Sequence, residues 1–218
     1  MNINEDIRDF VINSNSEITQ GVINNYNKIK DNDKETKRTF DTYQYEGFYL
    51  VNEYVESKKD KIIISSNVIS NEKEIIMRST NGIEVVALSS SNYLINSAEQ
   101  TIIVEIVNGE VEILTSVSRL EPGAMYKLTE YLNKNGLVVL TNYSVDEKRN
   151  FEYLYDFETG KRISSGFDSI DEINGKLKVT YGLATGDLDL EGNFIMEPDK
   201  ENVRPRGFFA RIFSKGKC

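Results

Sequence analysis

Two hydrophobic periods divide the chain. Over residues 1 to about 30, Ile3, Ile7, Phe10 and Val11, then Ile18, Val22, Tyr26 and Ile29, recur at helical spacing. The stretch SNSE (Ser14–Glu17) between the two sets matches a capping box, so the pattern predicts two short helices, or one helix broken near Asn13. The charged run Lys30–Arg38 has no apolar period and reads as a solvated connector. From about Phe40 to Pro198 the period becomes two, in short runs rich in β-branched and aromatic residues: IIIS, EVVAL, TIIVEIV, VEILTSV, LVVLTNY, FEYLYDF and KLKVTYG. The expected fold is therefore mainly β, an array of stacked β-hairpin units with a short N-terminal helical segment and a C-terminal amphipathic tail. The expected divisions are a helical segment and connector over 1–38, a hairpin-repeat domain over 39–200 and a basic tail over 201–218.

Four glycines, Gly82, Gly109, Gly160 and Gly192, each follow a polar residue, with an apolar residue two or three positions later, as a tight hairpin requires where the chain enters positive φ. Their intervals of 27, 51 and 32 residues are irregular, and the longest contains NYSVDEKRNF (Asn142–Phe151), which reads as an extended hairpin loop. With that insertion set aside, the spacing describes a degenerate array, whose units must stack because one hairpin cannot bury its own apolar face.

The tract Tyr155–Pro198, YDFETGKRISSGFDSIDEINGKLKVTYGLATGDLDLEGNFIMEP, resembles the bacterial WG-repeat proteins in the order of its parts. Phe157–Ile163, Phe167–Ile170, Gly175, Val179, Leu188–Ile195 and Pro198 match the family's sequence of strand, turn, aromatic-Asp segment, glycine, strand and closing proline. The family's Trp-Gly pair is absent, and ATGDLDL stands in its place. The resemblance implies hairpin arrays that act as interaction modules and no catalytic residues.

Composition narrows the chemistry. The 218 residues include no histidine, which removes the usual general base, the commonest metal ligand and every Ser-His or Cys-His arrangement. The single cysteine, Cys218, rules out an internal disulfide. An acidic start without a basic n-region, and the lack of any long apolar run, point to a cytoplasmic protein. Richness in Asn, Ile and Lys fits a low-GC bacterium or its phage. The net charge is −9, but five of the 26 basic residues lie within 204–218, so residues 1–203 carry 21 bases against 35 acids. A body with a net −14 repels nucleic acid.

Three clusters invite chemistry. Asp187, Asp189 and Glu191 before Gly192 imitate the first half of a calcium loop, but Pro198 stands where a bidentate Glu is needed and Leu188 and Leu190 alternate as in a strand. The same carboxylates with Glu197 and Asp199 could form a glycosidase pair only at a separation that sequence cannot supply. Phe40, Tyr43, Tyr45, Phe48, Tyr49 and Tyr54 alternate with polar residues as a half-buried strand does. No cofactor or metal is expected from any of them.

The tail differs. In RPRGFFARIFSKGKC, Phe208, Phe209, Ile212 and Phe213 share one side of a helix that Arg211 and Lys215 flank, and these six are the expected partner-binding residues. Burying four such side chains gains on the order of 6 to 12 kcal/mol, while ordering the segment costs roughly as much again. Membrane association is then weak or absent, and the expected partner is another protein. The expected role is a non-catalytic interaction module. The alternatives are an acidic immunity or inhibitor protein blocking a basic enzyme, and a carbohydrate-active enzyme using the Asp/Glu cluster.

Overall fold

A computed structural model describes residues 5–14, 21, 24, 37–56, 60–118 and 126–196. The protein is mainly β: among the described residues fifteen strands form four antiparallel sheets, accompanied by a helix over 5–14 (α1) and a short helix Glu130–Lys134 (α2). All seven alternating runs are strands.

Each sheet is a meander in chain order, so every strand pairs with its sequence neighbour. The first holds β1 (Lys37–Gln44), β2 (Phe48–Glu56), β3 (Lys61–Ser70) and β4 (Ile75–Ser79). The second holds β5 (Glu84–Ala87), β6 (Asn92–Asn96), β7 (Gln100–Val107) and β8 (Glu110–Ser118). β9 (Tyr126–Lys127), β10 (Leu137–Ser144) and β11 (Arg149–Asp156) form the third. The last is β12 (Ser169–Ile173), β13 (Lys176–Tyr181), β14 (Ala184–Leu188) and β15 (Phe194–Met196).

The contacts divide the molecule into two compact units. One contains the described residues of Met1–Val86, Ile95–Ala98 and Glu105–Glu112; the other those of Ala87–Leu94, Glu99–Val104 and Ile113–Cys218. In the first unit α1 lays Ile7 and Val11, the residues that set its helical period, on Tyr49, Val51 and Ile69, with Phe10 and Phe40 packed alongside. Lys73 on the β3–β4 turn pairs with Asp6 at 2.7 Å. Glu53, on the same face of β2 as Tyr49 and Val51, is 0% exposed. Arg38 Nε and Ser65 Oγ donate to its carboxylate, Asn67 Nδ2 donates to Ser65, and Arg78 Nε donates to Asn67. The buried charge thus has partners on β1 and β3, which offset its desolvation.

The core of the second unit gathers Leu132 of α2, Leu137, Val139 and Leu154 of β10–β11, and Ile170, Leu177, Val179 and Leu188 of the last sheet, around Phe167. Thr129 caps α2 by accepting from Leu132 N, and the helix bridges β9 to β10.

Three local expectations change. Gly82, Gly109, Gly160 and Gly192 all have positive φ, but Gly82 lies between β4 and β5 and Gly160 between β11 and β12, strands of different sheets in each case; Gly82 makes a connector, and Gly160 a short reversal closed by the isolated bridge Tyr155↔Arg162. Positive φ reports a change of direction and does not say which strands pair afterwards. Asn142–Phe151 is not an extended loop: β10 and β11 are paired from Leu137↔Asp156 to Ser144↔Arg149, leaving only residues 145–148 in the turn. Asn142, Ser144, Arg149 and Asn150 occupy paired strand ends, and Asp146, Glu147 and Lys148 the turn. Ser14 lies inside α1, where its hydroxyl donates to Phe10 O four residues back, as a helix-interior serine does; residues 15–20 lie outside the described residues. Among the described residues no helix is long and apolar enough to cross a membrane.

Candidate functional site

The last sheet carries the acidic residues singled out in the sequence. The register sets Asp171, Lys178, Asp187 and Ile195 in one row across its four strands. Opposite charges in such a row attract across neighbouring strands. Lys178 pairs with Asp187. Lys127, on β9, donates to Asp171 at 2.8 Å, to Glu152 at 2.7 Å and to Ile170 O at 3.1 Å. Burial opposes the charge of Lys127, but the hydrogen bonds to Asp171 and Glu152 outweigh it and raise its pKa above 10.5. The same hydrogen bond is the main reason the Asp171 carboxyl falls below 3.8.

Asp189 is held by the β14–β15 turn. Its carboxylate accepts from Asn193 N at 2.6 Å and from Asn193 Nδ2 at 2.9 Å, while its carbonyl accepts from Gly192 N at 3.1 Å. The carboxylate here substitutes for a backbone acceptor, taking the amide of the residue four positions on. Glu191 is exposed beside it. Together Asp187, Asp189 and Glu191 border an open groove of about 370 Å³, whose lining includes Tyr131 of α2, Lys176, Leu177, Leu190 and Ile195. The alternation of Leu188 with Asp187 and Asp189 is that of a strand, with Leu188 in the core. Among the described residues no three Asp, Glu, His or Cys side chains are grouped so as to hold a metal ion. Two of the carboxylates are thus engaged by a cross-strand lysine and by turn amides, an arrangement suited to holding strands in register. Glu197 and Asp199 lie outside the described residues, as do Phe208, Phe209, Arg211, Ile212, Phe213 and Lys215 of the tail.

The aromatic stretch is divided by its strand alternation. Phe40 and Tyr49 belong to the α1 core, and Tyr45 stacks on Phe48 across the β1–β2 turn with ring centroids 4.7 Å apart. Tyr54 lies under Lys61 at 4.1 Å, and burial is the main cause that raises its phenol pKa, with Asp41 adding to it. Tyr43 is exposed.

A second arrangement was not expected from the sequence. At one end of the second unit the Phe151 and Tyr181 rings stack, and the Arg149 guanidinium lies 4.2 Å from the Phe151 centroid and 5.6 Å from that of Tyr181. Arg149 Nη1 donates to Asp168, whose other carboxylate oxygen accepts from Gly182 N. This clamp ties the base of the β10–β11 turn to the β13–β14 turn. From those neighbouring turns Val145 and Leu183 project into solvent, 79% and 105% exposed. The alternation of Arg149, Phe151 and Tyr153 on one face of β11 was a visible signal, but nothing local links it to Asp168 or Gly182. Tyr153 receives Arg162 at 5.0 Å, and its burial raises the phenol pKa against the opposing effect of that cation. Neither a protein-family model nor a curated protein sequence matches the chain.

Proposed function

We propose that the protein is a non-catalytic protein–protein interaction module built as a degenerate, WG-repeat-like array of hairpin units. The observation that carries this reading is the pair of aliphatic side chains, Val145 and Leu183, held out from two turns that Arg149, Asp168 and the Phe151–Tyr181 stack fix together. Turn positions favour Gly, Asn, Asp and Ser, and a large aliphatic there gains nothing from folding. Two of them on a rigid base suit contact with an apolar surface of another protein. The commitment of Asp187 and Asp189 to a lysine and a turn supports binding over glycoside hydrolysis. The tail residues Phe208, Phe209, Arg211, Ile212, Phe213 and Lys215 offer a second, linear docking element by their composition.

The test compares the full-length chain, a Val145→Ser/Leu183→Ser double variant and a Phe208→Ala/Phe209→Ala/Phe213→Ala variant in quantitative cross-linking and pull-down from host cells. A stoichiometric protein partner lost from either variant, with its thermal unfolding unchanged, supports the module. If no partner depends on either set, the reading fails.

The charge favours one second reading, an acidic inhibitor of a basic enzyme. Glu110 and Glu112 on β8 and Asp146 and Glu147 in the β10–β11 turn are exposed on a chain of net charge −9. Association would then be fast and weaken steeply with salt, and binding that is indifferent to ionic strength would exclude it.

A further inference from the structure

We infer that Asn174 is a self-modifying position, deamidated through attack by its own backbone with Glu172 as the general base. The chain contains four Asn-Gly pairs, at 81–82, 108–109, 135–136 and 174–175. Such pairs are chemically labile because glycine leaves its backbone nitrogen unhindered beside the asparagine side chain. The step needs that nitrogen to lose its proton. Gly175 N donates to Glu172 Oε1 at 2.7 Å, so a carboxylate sits on the proton that must leave. Asn174 and Gly175 are both exposed, and water reaches them freely.

The bonds balance without any outside oxidant or cofactor. Gly175 N bonds to the Asn174 side-chain carbonyl carbon as its proton passes to Glu172. The bond from that carbon to Nδ2 breaks, and Glu172 returns the proton to the leaving nitrogen, which departs as ammonia. Water then opens the cyclic imide at either carbonyl, giving aspartate or isoaspartate.

The chain supplies its own controls. Asn108–Gly109 makes an almost identical turn, with φ of 55° and 82° against 53° and 72° at Asn174–Gly175. Positive φ at both central residues makes each a type I′ hairpin. The residue three before the glycine is Ile106 in one and Glu172 in the other. Backbone geometry is matched; the carboxylate is present at one turn only, and at the other Asn71 Nδ2 donates to Gly109 O at 3.3 Å, away from the attacking nitrogen. At Asn135–Gly136 both reacting groups are held, because Asn135 Nδ2 donates to Tyr131 O at 2.7 Å and Gly136 N to Asn133 O at 3.1 Å. At Asn81–Gly82 the corresponding position is Ser79.

The modification has a structural consequence. Gly175 lines the groove that includes Tyr131, Lys176 and Glu191, so the product adds a negative charge at its rim. Isoaspartate also lengthens the two-residue turn by one backbone atom, which breaks the Ile173↔Lys176 register at the hairpin end. The inference stands whether or not the protein is an interaction module.

The test incubates the full-length chain near neutral pH and tracks all four asparagines in one digest by mass spectrometry, with fragmentation that separates aspartate from isoaspartate. Asn174 is expected to react about tenfold or more faster than Asn108. Glu172→Gln, whose side-chain oxygen still accepts the Gly175 N–H, is expected to bring Asn174 down to the Asn108 rate, with Asn108 unchanged in the same sample. Equal rates at Asn174 and Asn108 in the natural chain would overturn the inference, and that comparison needs no variant. An unchanged or faster Asn174 in Glu172→Gln would also overturn it, since the carboxylate would then be a lock on the turn and not a base. Loss of folding in the variant would show as acceleration at all four sites.

Discussion

Phe151 and Tyr181 come from different sheets, yet their ring planes lie within 8° of parallel with centroids 6.0 Å apart. Arg149 covers both rings and is itself anchored to Asp168. Because Arg149 is 43% exposed, its ion pair alone is worth little in water; the stacking over two rings supplies the rest. Arg149→Ala is expected to destabilise the protein by about 1–2 kcal/mol, and Arg149→Lys to recover only part of that, since an ammonium cannot stack as a plane. Urea unfolding of the two variants measures it. Equal stability of Arg149→Lys and the natural chain would assign the clamp to charge alone.

The Lys127–Asp171 pair makes a pH prediction. Asp171 is held below its ordinary 3.8, chiefly by the Lys127 hydrogen bond, so its contribution is present above 3.8 and disappears as pH falls through the lower folded value. Lys127 is raised above 10.5, so its contribution is present below 10.5 and is lost as pH rises through the higher folded value. Both side chains are partly solvated, at 32% and 51% exposure, which limits the effect to about 0.5–1 kcal/mol. Asp171→Asn should therefore lose stability near neutral pH and lose less than the natural chain on further acidification below 3.8. Melting temperatures recorded across that range decide it. Parallel curves for the two proteins would remove Asp171 from the account.

The strands were legible because alternation and turn chemistry are local. Val104, Ile106, Val139, Leu177 and Val179 announce their strands within a few residues, and Asn108–Gly109 announces its turn within two. The pairing of those strands was less so. Gly82 and Gly109 present the same polar-Gly-apolar signal, yet one connects sheets and the other closes a hairpin, because β5, the strand after Gly82, pairs with β6 and not with β4. The clamp was invisible for the same reason: Arg149 and Asp168 are 19 residues apart, and the Asp168–Gly182 bond spans another 14. The acidic trio illustrates the converse. Asp187, Asp189 and Glu191 are close in sequence, but strand register gives Asp187 to Lys178 and the turn takes Asp189. Proximity along the chain is a poor guide to convergence in a strand, whose neighbours point to opposite faces.

Glu53 supplies the third prediction. It is fully buried, and Arg38 and Ser65 both donate to it. Glu53→Ala leaves a part-buried guanidinium and a buried hydroxyl without that acceptor and is expected to cost about 3 kcal/mol. Glu53→Gln keeps the shape and one acceptor oxygen while losing the charge, and is expected to cost about 1–3 kcal/mol. Chemical denaturation orders the pair. If Glu53→Ala were the milder of the two, the network would be a source of strain that the sheet tolerates, and not a support.

Gly109 and Gly192 separate two reasons for a glycine. Both have φ of +82°, so alanine at either position meets the same unfavourable backbone conformation, at about 1–2 kcal/mol. Their surroundings differ. A Cβ on Gly109 would have nothing within 4 Å, whereas one on Gly192 would lie 2.0 Å from Ile163 O and 2.6 Å from its carbonyl carbon. The atoms in the way are backbone, next to Ser164 whose hydroxyl donates to Ser165 O and accepts from Leu154 N, so they cannot retreat without breaking the β11 connection. Gly109→Ala is therefore expected to cost only the backbone term, and Gly192→Ala at least about 2 kcal/mol more, by displacing the β14–β15 turn from the segment just after β11. Matched urea titrations of the two variants give the difference directly. Equal losses would mean that the turn at Gly192 moves aside freely and that its approach to Ile163 contributes nothing to holding the last sheet in place.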